Sequence, residues 1–323
     1  MYALRSLTLL LAAALVVALA VPVYAADVDR YLPSDTEAVQ TFNLRRLLDS
    51  NLVKKHGLDK LQELLKDNDE VQKVLSDLGL DPLKDVDSII SANSGADADK
   101  GIFIVHGRFN VEKFHAKADE AIKDHGDIVK LVKEPDGQRV YEVTIPELPQ
   151  NVFVAIAAKD TIVASPSREY IKLALEKGRP EKAVLKNQEF AKLVAQADGN
   201  QVFWLVAKGS VFAKAAAAAP EELKEYLEKI DTITGGIAVT DGVKADFTIA
   251  AKSADAAKDL AKKIEEGLNT AKGLAALVAA NSKELAPFVD VVENIKTTVK
   301  DKSINLKGEV APAVFEKALK KDQ

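Results

Sequence analysis

Short runs in which apolar and polar residues alternate recur along the chain, and they predict strands. An apolar side chain at every second position is typical of a strand with one buried face. Turn signals between neighbouring runs, Pro135-Asp136-Gly137 and Asp241-Gly242, predict hairpins. The predicted strands cover residues 36–43, 87–92, 101–109, 128–133, 139–145, 151–157, 161–165, 201–207, 231–240, 243–251 and 303–310.

Apolar residues spaced three and four positions apart predict helices between these strands. Asn110, Ser167 and Ser253 precede three of them, and their side-chain oxygens can accept hydrogen bonds from the free amides of a first helical turn. Pro220 is predicted at the first position of another helix. The other helices are expected over residues 44–50, 58–66, 69–78, 188–197, 210–219, 282–295 and 312–320.

The strict alternation near the C-terminus indicates the kind of sheet. In 243–251 the apolar side chains point one way and the polar ones the other, and 303–310 follows the same rule. One dry and one wet face are typical of an antiparallel sheet, so we expect an α+β fold with an antiparallel sheet covered by helices on one face. The runs 152–157 and 201–207 are apolar on both faces, which predicts central strands and a deeply packed Trp204. Gly235-Gly236 within a strand predicts a bulge or a close-packing point.

The two halves of the chain share an order of elements: strand, short helices, hairpin, capped helix, strand. This order predicts two related halves that arose by internal duplication; the alternative is that α+β chains share such an order by chance. The expected organisation is a signal peptide at 1–25, a first α+β repeat at 26–150, a central hairpin-helix segment at 151–198 and a second repeat at 199–323.

The first 25 residues have the layout of a secretory signal peptide. Arg5 supplies the positive charge, Thr8 to Val21 is uninterrupted by charge, and Val23-Tyr24-Ala25 offers a cleavage site after Pro22. The alternative is a retained anchor, because the 18 residues from Ser6 to Val23 carry no charge and are barely long enough to span a bilayer. We therefore expect an exported protein, periplasmic or extracellular, without a later transmembrane segment.

Composition narrows the classes of function. Hydrophobic residues make up 47% and charged residues 29% of the chain, as in ordinary globular proteins. The 44 basic and 49 acidic residues give a net charge of −5, which lacks the basic footprint of a nucleic-acid-binding protein. The absence of cysteine excludes disulfides, thiolate metal sites and cysteine nucleophiles. No glycine-rich phosphate loop is present, so no cofactor is predicted.

The segment Leu32-Pro33-Ser34-Asp35-Thr36-Glu37-Ala38-Val39 resembles the "LPxDTxxV" opening of a family of exported bacterial proteins classified as a domain of unknown function. Residues 152–208 resemble the middle of that family, with a hairpin, two helices and a strand containing Trp204. The resemblance implies a fold type and an exported location. It implies no catalytic activity.

Four histidines are the residues that titrate near neutral pH. Glu112, His115 and Asp119 are spaced so that their side chains can meet on one helix, and His106 ends the preceding strand. These four are weak candidates for a metal or acid–base site; the alternative is a solvated flank of the helix. His56 and His125 each precede a glycine and suit the C-terminal end of a helix. No catalytic residue is predicted.

Two classes of function remain open. The first is a non-enzymatic binding or scaffold protein of the bacterial cell envelope, and the alternative is an exported, hydrolase-like enzyme whose site is not recognisable from residue types. A pocket with buried ionisable pairs would favour the enzyme. The alanine-rich helix beginning near Ser253 presents small residues, which predicts self-association or a partner helix; packing on its own sheet is the alternative.

Overall fold

A computed structural model of the chain describes residues 28–59, 61–62, 80–95, 100–124, 126–134, 137–145, 150–176, 180, 183–212, 216, 219–281 and 294–314. These residues form two compact units. The N-terminal unit contains the described residues of Asp27–Leu48 and Gly57–Ala195, and the C-terminal unit those of Asp49–His56 and Gln196–Gln323. Both units combine helices with antiparallel strands, so the predicted α+β fold with an antiparallel sheet is confirmed.

The strands of each unit pair in a defined order. The N-terminal unit has the order β1-β2-β3-β7-β6-β5-β4, and the C-terminal unit the order β11-β12-β10-β9-β8. The strands are β1 Ala38–Phe42, β2 Val86–Asn93, β3 Gly101–Gly107, β4 Val129–Lys133, β5 Arg139–Val143, β6 Val152–Ala158, β7 Thr161–Ser165, β8 Phe203–Lys208, β9 Ile230–Val239, β10 Val243–Ala251, β11 Lys296–Lys300 and β12 Ser303–Val310.

The helices lie between these strands in the chain. They are α1 Leu44–Asp49, α2 Asn51–His56, α3 Pro82–Asp85, α4 Val111–Asp124, α5 Arg168–Leu175, α6 Gln188–Gln196, α7 Glu221–Glu228 and α8 Ala254–Asn281, with a short 3-10 helix at Gly209–Phe212. No helix within the described ranges is long and apolar enough to cross a bilayer.

The predicted helix caps are confirmed. Asn110 Oδ1 accepts from the Lys113 amide at 2.9 Å, and Ser253 Oγ accepts from the Ala256 amide at 3.1 Å. Ser167 Oγ accepts from the Tyr170 amide at 3.4 Å. Each bond satisfies an amide that has no partner within its own helix.

The alternation of apolar and polar residues in β10 gives this strand one buried and one polar face, as predicted. Ala245 and Phe247 are buried, and they share a hydrophobic cluster with Leu306 of β12. The opposite face carries cross-strand polar pairs between β10 and β12. These are Lys244 with Glu309 at 2.8 Å, Lys307 with Asp246, and Thr248 Oγ1 with Asn305 Oδ1 at 2.9 Å. Opposite charges directly across an antiparallel pair stabilise that register.

The N-terminal sheet has one thoroughly buried face. Ile104 of β3 lies beside Val163 of β7, and Val163 lies beside Ala155 of β6; all three are fully buried. Helix α5 packs against β6 and β7. Because β6 pairs with β5 on one side and β7 on the other, the predicted central position of 152–157 is confirmed.

Helices α2 and α3 were not predicted, and the structure corrects two further predictions. Strand β11 was not predicted, because Val299 is the one aliphatic residue among Lys296–Lys300. It forms a hairpin with β12 through a turn in which Asp301 has a φ of 53°. Pro220 is the residue before α7 and not its first helical residue.

Five predicted helices lie wholly or partly outside the described residues, and of the one expected over 58–66 only residues 58, 59, 61 and 62 are described. The helix at 69–78 lies wholly outside them, as do most of 282–295 and of 312–320. Of the helix expected over 210–219, the described residues show the 3-10 helix at Gly209–Phe212.

Candidate functional site

The four histidine and acidic side chains singled out from the sequence divide between two places. His115 and Asp119 lie on α4 beside β5, whereas His106 is the last residue but one of β3 and pairs with Asp29. Glu112 is exposed on α4. In the part of the chain that the structure describes, no three His, Cys, Asp or Glu side chains form a group that could hold a metal ion. The side chains of His56 and His125 lie outside the described residues.

His115 belongs to a small cluster between α4 and β5. Its Nδ1 lies 2.6 Å from the Tyr141 hydroxyl, and Asp119 pairs with Arg139 on the same strand. Burial, and then the positive charge of Arg139, lower the pKa of His115, while Asp119 opposes them. Burial raises the pKa of Tyr141 to about 12. The lowered pKa favours the neutral form of His115, which hydrogen-bonds with the buried Tyr141.

His106 is the centre of a second chain of polar side chains, whose contacts measure 2.6–3.2 Å. Its Nε2 lies 2.6 Å from Asp29 Oδ2, and its Nδ1 lies 3.1 Å from Thr161 Oγ1. The Thr161 hydroxyl in turn donates to Asp160 Oδ1 at 3.2 Å. Asp29 and Thr161 were not predicted as neighbours of His106, because they lie 77 and 55 residues away from it along the chain.

The order carboxylate, imidazole, hydroxyl is also that of a nucleophilic triad. A nucleophile must be reachable by a substrate, whereas Thr161 is 2% exposed. Its hydroxyl also lies within hydrogen-bonding distance of Asp160 Oδ1, so the imidazole is not its only acceptor. The geometry therefore assigns Thr161 a structural part in the chain.

The "LPxDTxxV" residues have structural roles in the N-terminal unit. Leu32 is buried, and buried Thr36 donates from its hydroxyl to the Pro33 carbonyl at 2.7 Å. Asp35 Oδ2 accepts from the Tyr170 hydroxyl at 3.0 Å, and Ser94 Oγ lies 2.8 Å from that hydroxyl. The segment thus attaches helix α5 to the loop after β2.

Tyr170→Phe is expected to lower the free energy of unfolding by about 1–2 kcal/mol, because the change leaves Asp35 and Ser94 without a buried partner. Urea denaturation followed by circular dichroism measures the difference. The control is Tyr226→Phe on α7, which removes a hydroxyl for which no described hydrogen bond is found. Equal stability of the wild type and Tyr170→Phe would contradict the structural role of this contact.

Glu134 is the one buried carboxylate among the described core residues. Arg168 Nε lies 3.0 Å from one carboxylate oxygen, and Lys172 Nζ lies 3.7 Å from the other. Both cations come from α5, one turn apart. Two positive partners compensate the cost of burying this charge, which is the arrangement of a structural ion pair.

The outer face of the N-terminal sheet lies opposite the buried Ile104 and Val163. It carries apolar side chains that are exposed to solvent. One row crosses five strands in register: Phe42 pairs with Ile89, Ile89 with Val105, Val105 with Ile162, and Ile162 with Ile156. A second row lies two residues away on each strand and includes Phe103, Ala164 and Val154. We call these residues the open apolar face: Ile89, Phe103, Val105, Val154, Ile156, Ile162 and Ala164.

Phe103 is 50% and Ile89 is 38% exposed, and the other members are partly exposed. The second row ends at Tyr141 of β5, which α4 covers through Phe114 and His115. Helix α4 therefore covers the outer face at β5 and leaves it open at β2 and β3. The outer face of an antiparallel sheet normally carries polar residues, as the Lys244–Glu309 pair illustrates in the C-terminal unit.

The sequence contains one indication of the open apolar face. Gly101-Ile102-Phe103-Ile104-Val105 is apolar at consecutive positions and does not alternate. Such a run predicts apolar side chains on both faces of a strand, but it does not show which neighbouring strands continue the apolar surface. That information lies in the register of β2, β3, β7 and β6.

No protein-family model and no curated protein matches the chain. The chain is similar to a solved structure titled "Structure of crystal form I of TP0453", with a TM-score of 0.44 and 12% sequence identity. The alignment covers 92% of this chain and 98% of that one.

Proposed function

We propose that the chain is an exported, non-enzymatic binding or scaffold protein of the bacterial cell envelope, and that the open apolar face is its binding surface. The observation that supports this proposal most is the position of Phe103 and Ile89 on a sheet face that the polypeptide leaves partly uncovered. Contiguous exposed apolar patches on soluble domains mark interaction sites. Covering a large apolar side chain stabilises a complex by about 1.5–3 kcal/mol.

The exported location is part of the proposal. It is supported by the charged start, apolar stretch and small-residue ending of residues 1–25, and by the resemblance of 32–39 to the exported family. In the periplasm or outside the cell, a chain without cysteine has no disulfides and depends on packed cores such as the one around Ile104.

Internal duplication is also a proposal, supported by the order of strands. In the C-terminal unit a strand, a hairpin, helix α8 and a second hairpin follow one another, with sheet order β8-β9-β10-β12-β11. In the N-terminal unit the corresponding order is β1-β2-β3-β7-β6, with α4 after β3 and the β4-β5 hairpin as an addition.

Two finer expectations concern the helices. Cover of one sheet face by helices is supported in the C-terminal unit, where α8 packs against β10, β11 and β12. On α8, Ala257, Leu260 and Ala261 pack with Ile304 in the unit's own core. Self-association through the remainder of this alanine-rich helix stays a proposal.

Phe103→Ser is expected to weaken binding of an anilinonaphthalene sulfonate dye about tenfold. The dye binds to apolar surfaces, and this substitution removes the most exposed aromatic ring of the open apolar face. Fluorescence titration of the folded protein measures the dissociation constant. Ile89→Ser is expected to act in the same direction.

The matched control is Val184→Ser, which replaces a 71% exposed apolar residue outside the sheet. It is expected to leave the dye affinity unchanged. If Phe103→Ser and Val184→Ser bind the dye equally well, the open apolar face is not the binding surface.

A further inference from the structure

We propose that His106 is a proton-dependent latch that fastens residues 28–32 to the sheet of the N-terminal unit. The latch consists of Asp29, His106, Thr161 and Asp160. It is closed when the imidazole carries two protons, and it weakens when one of them is lost. This device is independent of the open apolar face, because His106 lies on the buried side of β3, in alternation with Val105.

The hydrogen bonds themselves indicate the charge on the imidazole. The Asp160 carboxylate can only accept, so the single proton of the Thr161 hydroxyl is donated to it at 3.2 Å. With that proton directed to Asp160, Thr161 Oγ1 offers a lone pair to His106 Nδ1, which lies 3.1 Å away. Asp29 Oδ2 accepts from Nε2 at 2.6 Å. In the closed latch that we propose, both ring nitrogens donate, and the ring is an imidazolium between two carboxylates.

The same carboxylate organises the segment that it fastens. Asp29 Oδ1 accepts from the Tyr31 amide at 2.8 Å, and the Leu32 amide donates to the Asp29 carbonyl at 3.2 Å. Tyr31 and Leu32 are both buried, and the Tyr31 ring lies 6.3 Å from the His106 ring. Loss of the Asp29–His106 pair would therefore loosen a segment whose side chains are part of the core.

Two charged groups face the imidazole: Asp29 from the segment and Asp160 from the turn between β6 and β7. Burial opposes the charge, but the hydrogen bond and charge of Asp29, with the charge of Asp160, raise the pKa of His106 above its ordinary value. Because the pKa is raised in the folded state, protonation of His106 stabilises the closed latch. This contribution is complete at pH values below the ordinary histidine pKa of about 6.5. This stabilisation is lost as the pH rises through the pKa of the folded state.

His115 provides an internal comparison. Burial and the positive charge of Arg139 outweigh Asp119 at His115, whereas two carboxylates outweigh burial at His106. A neutral His115 is consistent with its single hydrogen bond to Tyr141. The two histidines are therefore expected to titrate on opposite sides of the ordinary value.

Hydrogen–deuterium exchange of the full chain tests the latch. Protection factors for the peptide containing residues 28–32, corrected for intrinsic exchange, are measured from about pH 5.5 to about pH 8.5, a range that brackets the ordinary histidine pKa. In the wild type we expect protection to fall about tenfold or more as the pH rises, the size expected for a lost hydrogen bond to a charged group.

Asp29→Asn and His106→Gln are expected to lower protection at acidic pH and to remove its pH dependence. Asn can still accept from the Tyr31 amide, so Asp29→Asn removes the charge without removing the local turn. His115→Gln is the matched control and is expected to keep the wild-type pH profile. Protection that does not change with pH in the wild type, or that follows the same profile in His106→Gln, would overturn the proposal.

A titration of the histidine ring protons by NMR does not depend on any variant folding. The His106 resonance is expected to titrate above the ordinary value, and the His115 resonance below it. A His106 resonance that titrates below the ordinary value would show that the ring is neutral, and the latch would be refuted.

Discussion

Trp204→Ala is expected to lower the free energy of unfolding by about 3–5 kcal/mol, the range for truncating a large aromatic side chain in a core. Trp204 is 5% exposed on β8, and the residue paired with it on β9 is Gly236. Glycine has no side chain that could move into the space left by the indole. The cavity would therefore stay largely open, and its cost would add to the lost apolar burial.

Chemical denaturation followed by far-ultraviolet circular dichroism measures this effect. Fluorescence is unsuitable, because Trp204 is the single tryptophan of the chain. Leu223→Ala on α7 is the control, since Leu223 is 43% exposed and its truncation is expected to change stability by no more than about 0.5 kcal/mol. An unchanged transition for Trp204→Ala would show that β8 does not bury this side chain.

Gly235→Ala is expected to destabilise the C-terminal unit by about 3 kcal/mol. Gly235 has a φ of 148°, a conformation that residues with a side chain rarely adopt. An added Cβ would overlap the Asp246 carbonyl oxygen and would lie 2.6 Å from Phe247 Cα, both on the neighbouring strand. Backbone strain and overlap each cost about 1–3 kcal/mol.

Two other glycine substitutions serve as controls that separate backbone strain from steric overlap. Gly137→Ala, at φ 85° with open space around it, tests strain alone and is expected to cost less than Gly235→Ala. Gly267→Ala lies in helix α8 with open space around it and is expected to stabilise the protein by up to about 1 kcal/mol. If Gly235→Ala is as stable as the wild type, the close approach of β9 and β10 at this position is wrong.

Gly235 also illustrates a sequence pattern whose meaning became definite in the structure. The Gly235-Gly236 pair predicted a bulge or a close-packing point, and close packing against Phe247 is what the strands show. The β9–β10 register shift lies elsewhere, between Ala250 and Ala251.

The candidate binding surface and the latch both depend on contacts between distant parts of the chain. Ile89, Phe103 and Ile162 form one surface because β2, β3 and β7 lie side by side in a particular register. A shift of one residue in any of these strands would send its side chains to the opposite face. The surface could therefore not be derived from the individual strands.

Local patterns determined most of the secondary structure. The capped starts of α4, α5 and α8, the hairpins, and the polar and apolar faces of β10 follow from interactions within a few residues, which a sequence shows directly. Strand β11 was missed because Lys296–Lys300 has little apolar character of its own, and its strand conformation comes from pairing with β12.

The sequence by itself determined the α+β class, the caps and the alternation of faces, because spacing and local hydrogen bonding decide these. The tertiary structure alone decided the partners of the chemically distinctive side chains. His106 and His115 lie only nine residues apart along the chain, yet one meets Asp29 and the other Tyr141. A pKa depends on the charges within a few ångströms in space, and sequence spacing does not fix which charges those are.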